Sequence, residues 1–255
     1  MLFRSGATPE FALITLALPA DTDVEAIDEL YRGIAEAGEA YGTVIAGGDI
    51  VRSPQMVITI ALSGRAALDA SREPLVLRRN AAIAGALIAV TGTLGGAAGG
   101  LRLLEEGKSA TEGARALVER HLRPQARAQP GRAALAAGIR CAIDVSDGLL
   151  QDLRHICKAS RVGGVVWRDK LPIDPALAGL FDAGDALRMA ASGGEDYELL
   201  LIGAGEQLET LRGQIDVHLT VIGETVIDAE CEAKLLDESG KEIDLPATGW
   251  DHLKR

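Results

Sequence analysis

Short apolar runs of strand length, alternating with stretches of helical periodicity, constrain this chain more than any other feature. Phe11 to Leu18 is apolar and stopped by Pro19, the pattern of a buried strand. Asp21 to Asp23 then offer a helix cap ahead of Val24, Ile27, Leu30, Tyr31 and Ile34 at helical spacing. Thr43 to Ala46 predicts a second strand that runs into Gly47-Gly48-Asp49, and Gln55 to Ser63 predicts a third. Leu87 to Thr91 predicts another. Gly92-Thr93-Leu94-Gly95-Gly96 then opens an Ala- and Leu-rich helical region to about Ala137, punctuated by Pro124 and Pro130. Ala142 to Val145 and Tyr197 to Ile202 are the remaining strand candidates. Between them, Ser146 or Asp147 stands where a cap is needed for a helix bearing Leu149, Leu150, Leu153, Ile156 and Cys157. This alternation predicts an α/β chain of α+β type with two units dividing between Ser63 and Leu87, which we set at residues 1–70 and 71–255. At 255 residues and 47% apolar, the chain is long enough to bury the core such units need.

Charge narrows the partners. A formal net charge of −11 argues against a broad nucleic-acid surface or an acidic membrane surface, both of which need clustered Lys and Arg. A small anionic ligand stays possible where metal ions or a few local basic groups screen it. Cys141, Cys157 and Cys231 are too few and too scattered for a disulfide framework, and no Cys/His spacing resembles a zinc site, so a reducing, cytoplasmic compartment is expected. The opening MLFRSGATPE lacks an apolar leader core, and the apolar run from Ala81 to Val90 is too short to cross a bilayer.

Chemistry concentrates in three acidic, glycine-flanked segments: Gly47-Gly48-Asp49, AIDVSDGLL from Ala142 to Leu150, and GGEDYEL from Gly193 to Leu199. Each puts carboxylates where an apolar run meets glycine. Hard divalent cations such as Mg²⁺ want oxygen ligands, and glycines let a backbone approach phosphate. Asp49, directly after a predicted strand, suits a metal ligand or a solvated turn. Asp144 and Asp147 flank Ser146 at a strand-to-helix junction, where they would either hold a cation or cap the helix; burying a carboxylate in an apolar strand end is costly unless a cation meets it. Glu195 and Asp196 suit either a ligand-facing loop or a hairpin turn. The glycines from Gly92 to Gly100 fit neither a Walker loop nor a Rossmann fingerprint, and close helix packing accounts for them. His121, His155, His218 and His252 show no pattern for nucleophilic catalysis, and His155 on a helix face is read as structural.

Taken in order, GGD, Arg79, VTGTLG, AIDVSDGLL, Leu171-Pro172, GGEDYELL and the terminal GWDH resemble the thiamine-monophosphate kinase family over essentially the whole chain. The resemblance implies two domains of the aminoimidazole ribonucleotide synthetase-like fold and a homodimer. It also implies transfer of the ATP γ-phosphoryl to thiamine monophosphate with Mg²⁺; with the acidic charge, no nucleic-acid or membrane partner is expected. By position, Asp49, Asp144 and Asp147 look like Mg²⁺ ligands, and Gly48, Asp49, Arg79 and Ser146 like nucleotide contacts. Glu195 or Asp196, with Trp250, would hold the thiamine end, the indole offering a flat face to a cationic heterocycle. Gly96 and Ala86 stand where the family often has Asp. The family's opening Gly-Asp-Asp loop and a second acidic stretch ending near His-Phe have no counterpart here, so the N-terminal domain is expected to be truncated and short of metal ligands. That leaves two other readings: a noncatalytic Mg-nucleotide-binding remnant, or a superfamily member with another phosphoryl acceptor.

Overall fold

The computed structural model describes residues 5–110 and 112–245. The chain forms two compact units: one spans Ala7–Leu75, and the other runs from Val76 and takes in Gly6.

The smaller unit is a three-stranded sheet with one helix on it. β1 (Thr8–Leu18) lies between β2 (Val44–Arg52), to which it is parallel, and β3 (Val57–Arg65), to which it is antiparallel. Alternation along β1 decides its faces: Ala12, Ile14, Leu16 and Leu18 are buried while Phe11 and Leu13 are exposed. The buried set packs on Ile27, Leu30, Tyr31 and Ile34 of α1 (Val24–Tyr41), the stripe predicted by the helical spacing. Asp23 caps α1 through a bond from Glu25 N, and Gly42 ends it in the left-handed region. A short hairpin, β4 (Ala67–Leu68) against β5 (Pro74–Leu75), completes the unit.

The larger unit is built on a six-stranded sheet in the order β11-β8-β10-β6-β9-β7. Its strands are β6 (Leu87–Thr91), β7 (Cys141–Asp144), β8 (Gly163–Trp167), β9 (Leu199–Gly203), β10 (Leu219–Val226) and β11 (Ala233–Leu236). Only the β11–β8 pair is parallel, so the unit is α+β in type. Residues alternate between two faces. Ile88, Val90, Ile143, Leu200 and Ile202 pack on α5 (Leu149–Ser160) and α6 (Ala183–Ser192). Ala89, Ala142, Leu199 and Leu201 pack on α4 (Ala128–Ala136) and α7 (Gly205–Arg212). The result is a sheet between two helical layers.

The glycine-rich run after β6 opens α2 (Gly96–Glu105), which packs on α3 (Glu112–Leu122). A Cβ on Gly100 would meet Leu117 O at 2.1 Å, so close helix approach explains that glycine. Pro124 falls between α3 and α4, whereas Pro130 lies in the first turn of α4, where a missing N–H costs little.

The cap expected of Ser146 or Asp147 is corrected. Gly148 is the N-cap of α5 and offers no side chain. The Asp152 carboxylate instead reaches back from the helix and accepts from both Ser146 N and Asp147 N at 2.9 Å. Asp49 also differs from expectation, because β2 continues through both glycines and places Asp49 within the strand, opposite Thr15. A Cβ on Gly48 would meet Ile14 O at 1.7 Å, so the parallel pairing itself demands glycine there. Among the described residues, no helix is long and apolar enough to cross a membrane.

Candidate functional site

Antiparallel pairing brings two of the three acidic segments together. Asp144 closes β7 opposite Leu199 of β9, and the backbone pairing continues beyond both strands. Val145 N donates to Glu198 O, Tyr197 N to Val145 O and Glu195 N to Ser146 O, all at 2.8–2.9 Å. The GGEDY loop therefore lies along the AIDVSD junction. Gly194 permits the approach, since a Cβ there would meet Ser146 O at 2.5 Å. Gly148, at φ 116, stands equally close to Ser192 O. Glu195 and Tyr197 sit at φ 67 and 52, a strained region for residues with side chains.

The carboxylates of this loop have separate duties. Asp196 accepts from Gly95 N at 2.7 Å and Ala97 N at 3.1 Å, which satisfies the N-terminus of α2. Burial pushes its carboxyl up to about 7, against the lowering effect of those two bonds. Glu198 is fully buried and takes a two-point contact from Arg127, Nε to Oε2 at 2.7 Å and Nη2 to Oε1 at 2.5 Å, with Thr91 Oγ1 donating at 2.6 Å. Glu195 alone is exposed, at 52%, with His121 Nδ1 lying 3.2 Å from its Oε2.

Asp144 is buried at the strand end, while Ser146 and Asp147 are half-buried beside it. Tyr197 faces the same group. Burial raises its phenol, and the Glu195, Asp144 and Asp147 carboxylates raise it further. Asp152 is pushed up to about 7, first by burial and then by Asp147 and Asp144, while the Asp147 and Ser146 N–H bonds oppose the rise. Ligand-type atoms of Asp147, Asp152 and His155 all lie within 4.8 Å of one another, so His155, read from sequence as structural, stands at the acidic end of α5. Sequence reasoning missed Asp152, His121 and Arg127. The signal for Asp152 was present: it sits three residues after Leu149 and four before Ile156, an acid on the helix's apolar face.

Other predicted residues lie elsewhere. The Arg79 backbone is at the opposite end of β7 from Asp144, since Arg78 bridges Cys141 and Ser160 Oγ donates to Arg79 O. Gly48 and Asp49 belong to the smaller unit, where Asp49 is exposed and accepts from Ile50 N. Trp250 lies outside the described residues.

The donor chemistry suits a hard cation. Asp144 and Asp147 present carboxylate oxygens three residues apart at a strand end, and no described cysteine joins them.

Comparisons with known proteins give the family. Residues 2–66 match the N-terminal domain of AIR synthase related protein, and residues 84–235 match the C-terminal domain. Thiamine-monophosphate kinase of Salmonella typhimurium strain LT2 is 36% identical over 258 residues, covering 99% of this chain and 76% of that protein. The crystal structure of thiamine-monophosphate kinase from Stenotrophomonas maltophilia K279a superposes with a TM-score of 0.79 at 35% identity, covering 92% of this chain and 74% of that one. The structure of AaThiL complexed with AMPPCP and TMP gives a TM-score of 0.82 at 29% identity, over 99% of this chain and 76% of that one.

Proposed function

The chain belongs to the thiamine-monophosphate kinase family, and from that premise we propose that it transfers the γ-phosphoryl group of ATP to thiamine monophosphate, giving thiamine diphosphate and ADP. Support comes from the β7–β9 pairing, which gathers Asp144, Ser146, Asp147 and Glu195 at one end of the larger sheet. Phosphoryl transfer asks a protein for positioning and electrostatic stabilisation more than for a nucleophile of its own.

The roles proposed here rest on the resemblance, with the geometry supporting those of Asp144, Ser146, Asp147 and Glu195. Asp144 and Asp147 are proposed Mg²⁺ ligands of the larger unit, and Asp49 is proposed, from the resemblance alone, as one on the smaller unit. Bound magnesium supplies neutralisation of the phosphate charge. Asp152 fixes the Ser146–Asp147 backbone through two N–H bonds, so the Asp147 carboxylate is oriented by the chain itself. Ser146 is a proposed nucleotide contact; Gly48 of the smaller unit and Arg79, whose backbone lies at the other end of β7, are proposed as such from the resemblance alone. Glu195 with Trp250 is proposed to hold the thiamine end. Asp196 is removed from that choice because both its oxygens serve α2. A second copy of this chain as partner is supported by the apolar outer face of the three-stranded sheet. The three free cysteines fit a cytoplasmic location, which cell fractionation checks.

Asp147→Asn tests the site. The folded chain uses the Asp147 backbone N–H in the Asp152 bond, not its carboxylate, so the variant is expected to keep its melting temperature. Its turnover is expected to fall about 100-fold or more, the scale seen when a charge-stabilising group is lost. Turnover within twofold of the parent protein would remove Asp147 from the site.

A further inference from the structure

We propose that His121 is a positioning residue for Glu195, holding that carboxylate toward the cationic heterocycle of the substrate; this rests on the reading of Glu195 given above. His121 lies near the end of α3, 17% exposed. Its Nδ1 is buried and has no hydrogen-bond partner of good geometry among the described residues. It nevertheless stands 3.2 Å from Glu195 Oε2, so a small rotation of the carboxylate completes the bond. A buried ring nitrogen left without a bond is costly, which gives this one a reason to act on the loop. Active-site hydrogen bonds are often poorly aligned in the free protein and tighten on the substrate.

The surroundings single out this pair. Glu195 is held in the left-handed backbone region by its N–H bond to Ser146 O, with Tyr197 in the same region immediately after Asp196. That strained pair turns Asp196 inward to α2 and leaves Glu195 facing outward. With Nδ1 donating to Oε2, the second oxygen of Glu195 stays open. A half-exposed carboxylate with one oxygen tethered suits a cationic ring or an amino group on a flat heterocycle. The His121 ring thereby lowers the ordering cost of a flexible glutamate before substrate arrives.

Steady-state kinetics on the full chain tests this with ATP and thiamine monophosphate as probes. His121→Ala is expected to raise KM for thiamine monophosphate about tenfold, as expected for a lost hydrogen bond to a charged group. KM for ATP and kcat are expected to stay within about twofold, since the ring touches neither nucleotide nor reacting phosphate in this account. His121→Asn, whose amide nitrogen can occupy the Nδ1 position, is expected to recover most of the loss. The double variant with Glu195→Ala is expected to be no worse than Glu195→Ala alone. An unchanged KM for thiamine monophosphate in His121→Ala, an equal rise for both substrates, or additive losses in the double variant would each overturn the proposal. Absence of product from the parent protein would instead overturn the functional reading beneath it.

Discussion

Three acids within four residues, Glu195, Asp196 and Glu198, are equivalent in composition and have different fates. Asp196 is spent on a helix terminus, Glu198 on a buried ion pair, and Glu195 alone is offered outward. Sequence shows that acids are present but not which way the backbone turns each one. Here the left-handed conformations of Glu195 and Tyr197 decide the matter, and no glycine marks them in the sequence. The Glu198–Arg127 pair carries its own prediction. Glu198 is 1% and Arg127 15% exposed, so removing the guanidinium leaves a buried carboxylate with only the Thr91 hydroxyl and the longer 3.9 Å approach of Arg120 Nη1. Arg127→Met is expected to cost about 3–5 kcal/mol in urea denaturation, and pairing it with Glu198→Gln is expected to recover part of that. A loss below about 1 kcal/mol would show that the pair is better solvated than its burial implies.

Among the elements, periodicity was a sound guide and boundaries were weaker. The α1 stripe, the strand at Leu87–Thr91 and the helix after AIDVSDG all form where the pattern puts them. β2 outran its predicted end because parallel pairing with β1 tolerates Gly47 and Gly48, the second being required by the approach of Ile14 O. The Asp152 cap was hidden because a carboxylate reaching back five residues leaves no mark at the cap position itself. The three-stranded sheet makes the element-scale prediction. Its outer face exposes Phe11 and Leu13 of β1, with Val44 opposite Phe11 on β2 and Val57 opposite Ala17 on β3. Exposed apolar side chains on both sides of the Thr15–Asp49–Thr59 row of this face mark an interface, and a second copy is the occupant proposed here. Light scattering is expected to give twice the chain mass for the parent protein and the single chain mass for Leu13→Lys. A monomeric parent protein at tens of micromolar would contradict it.

For the whole molecule, the alternation of strand and helix conveyed two α/β units, and the order of short motifs conveyed the family. What the sequence concealed is the long-range pairing of β7 with β9, which joins residues about fifty apart into one acidic corner. No local pattern encodes that adjacency; it follows from a six-stranded, mostly antiparallel order that only packing of the two helical layers establishes. A net charge of −11 then fits a protein that meets anionic substrates through bound cations and a few local groups, not through a basic surface. The most direct measurement follows product: purified protein with ATP, Mg²⁺ and thiamine monophosphate, resolved by chromatography against a no-enzyme control. Equimolar thiamine diphosphate and ADP, both lost on adding a magnesium chelator, is the predicted result. ADP without thiamine diphosphate, or no product at all, would contradict the account.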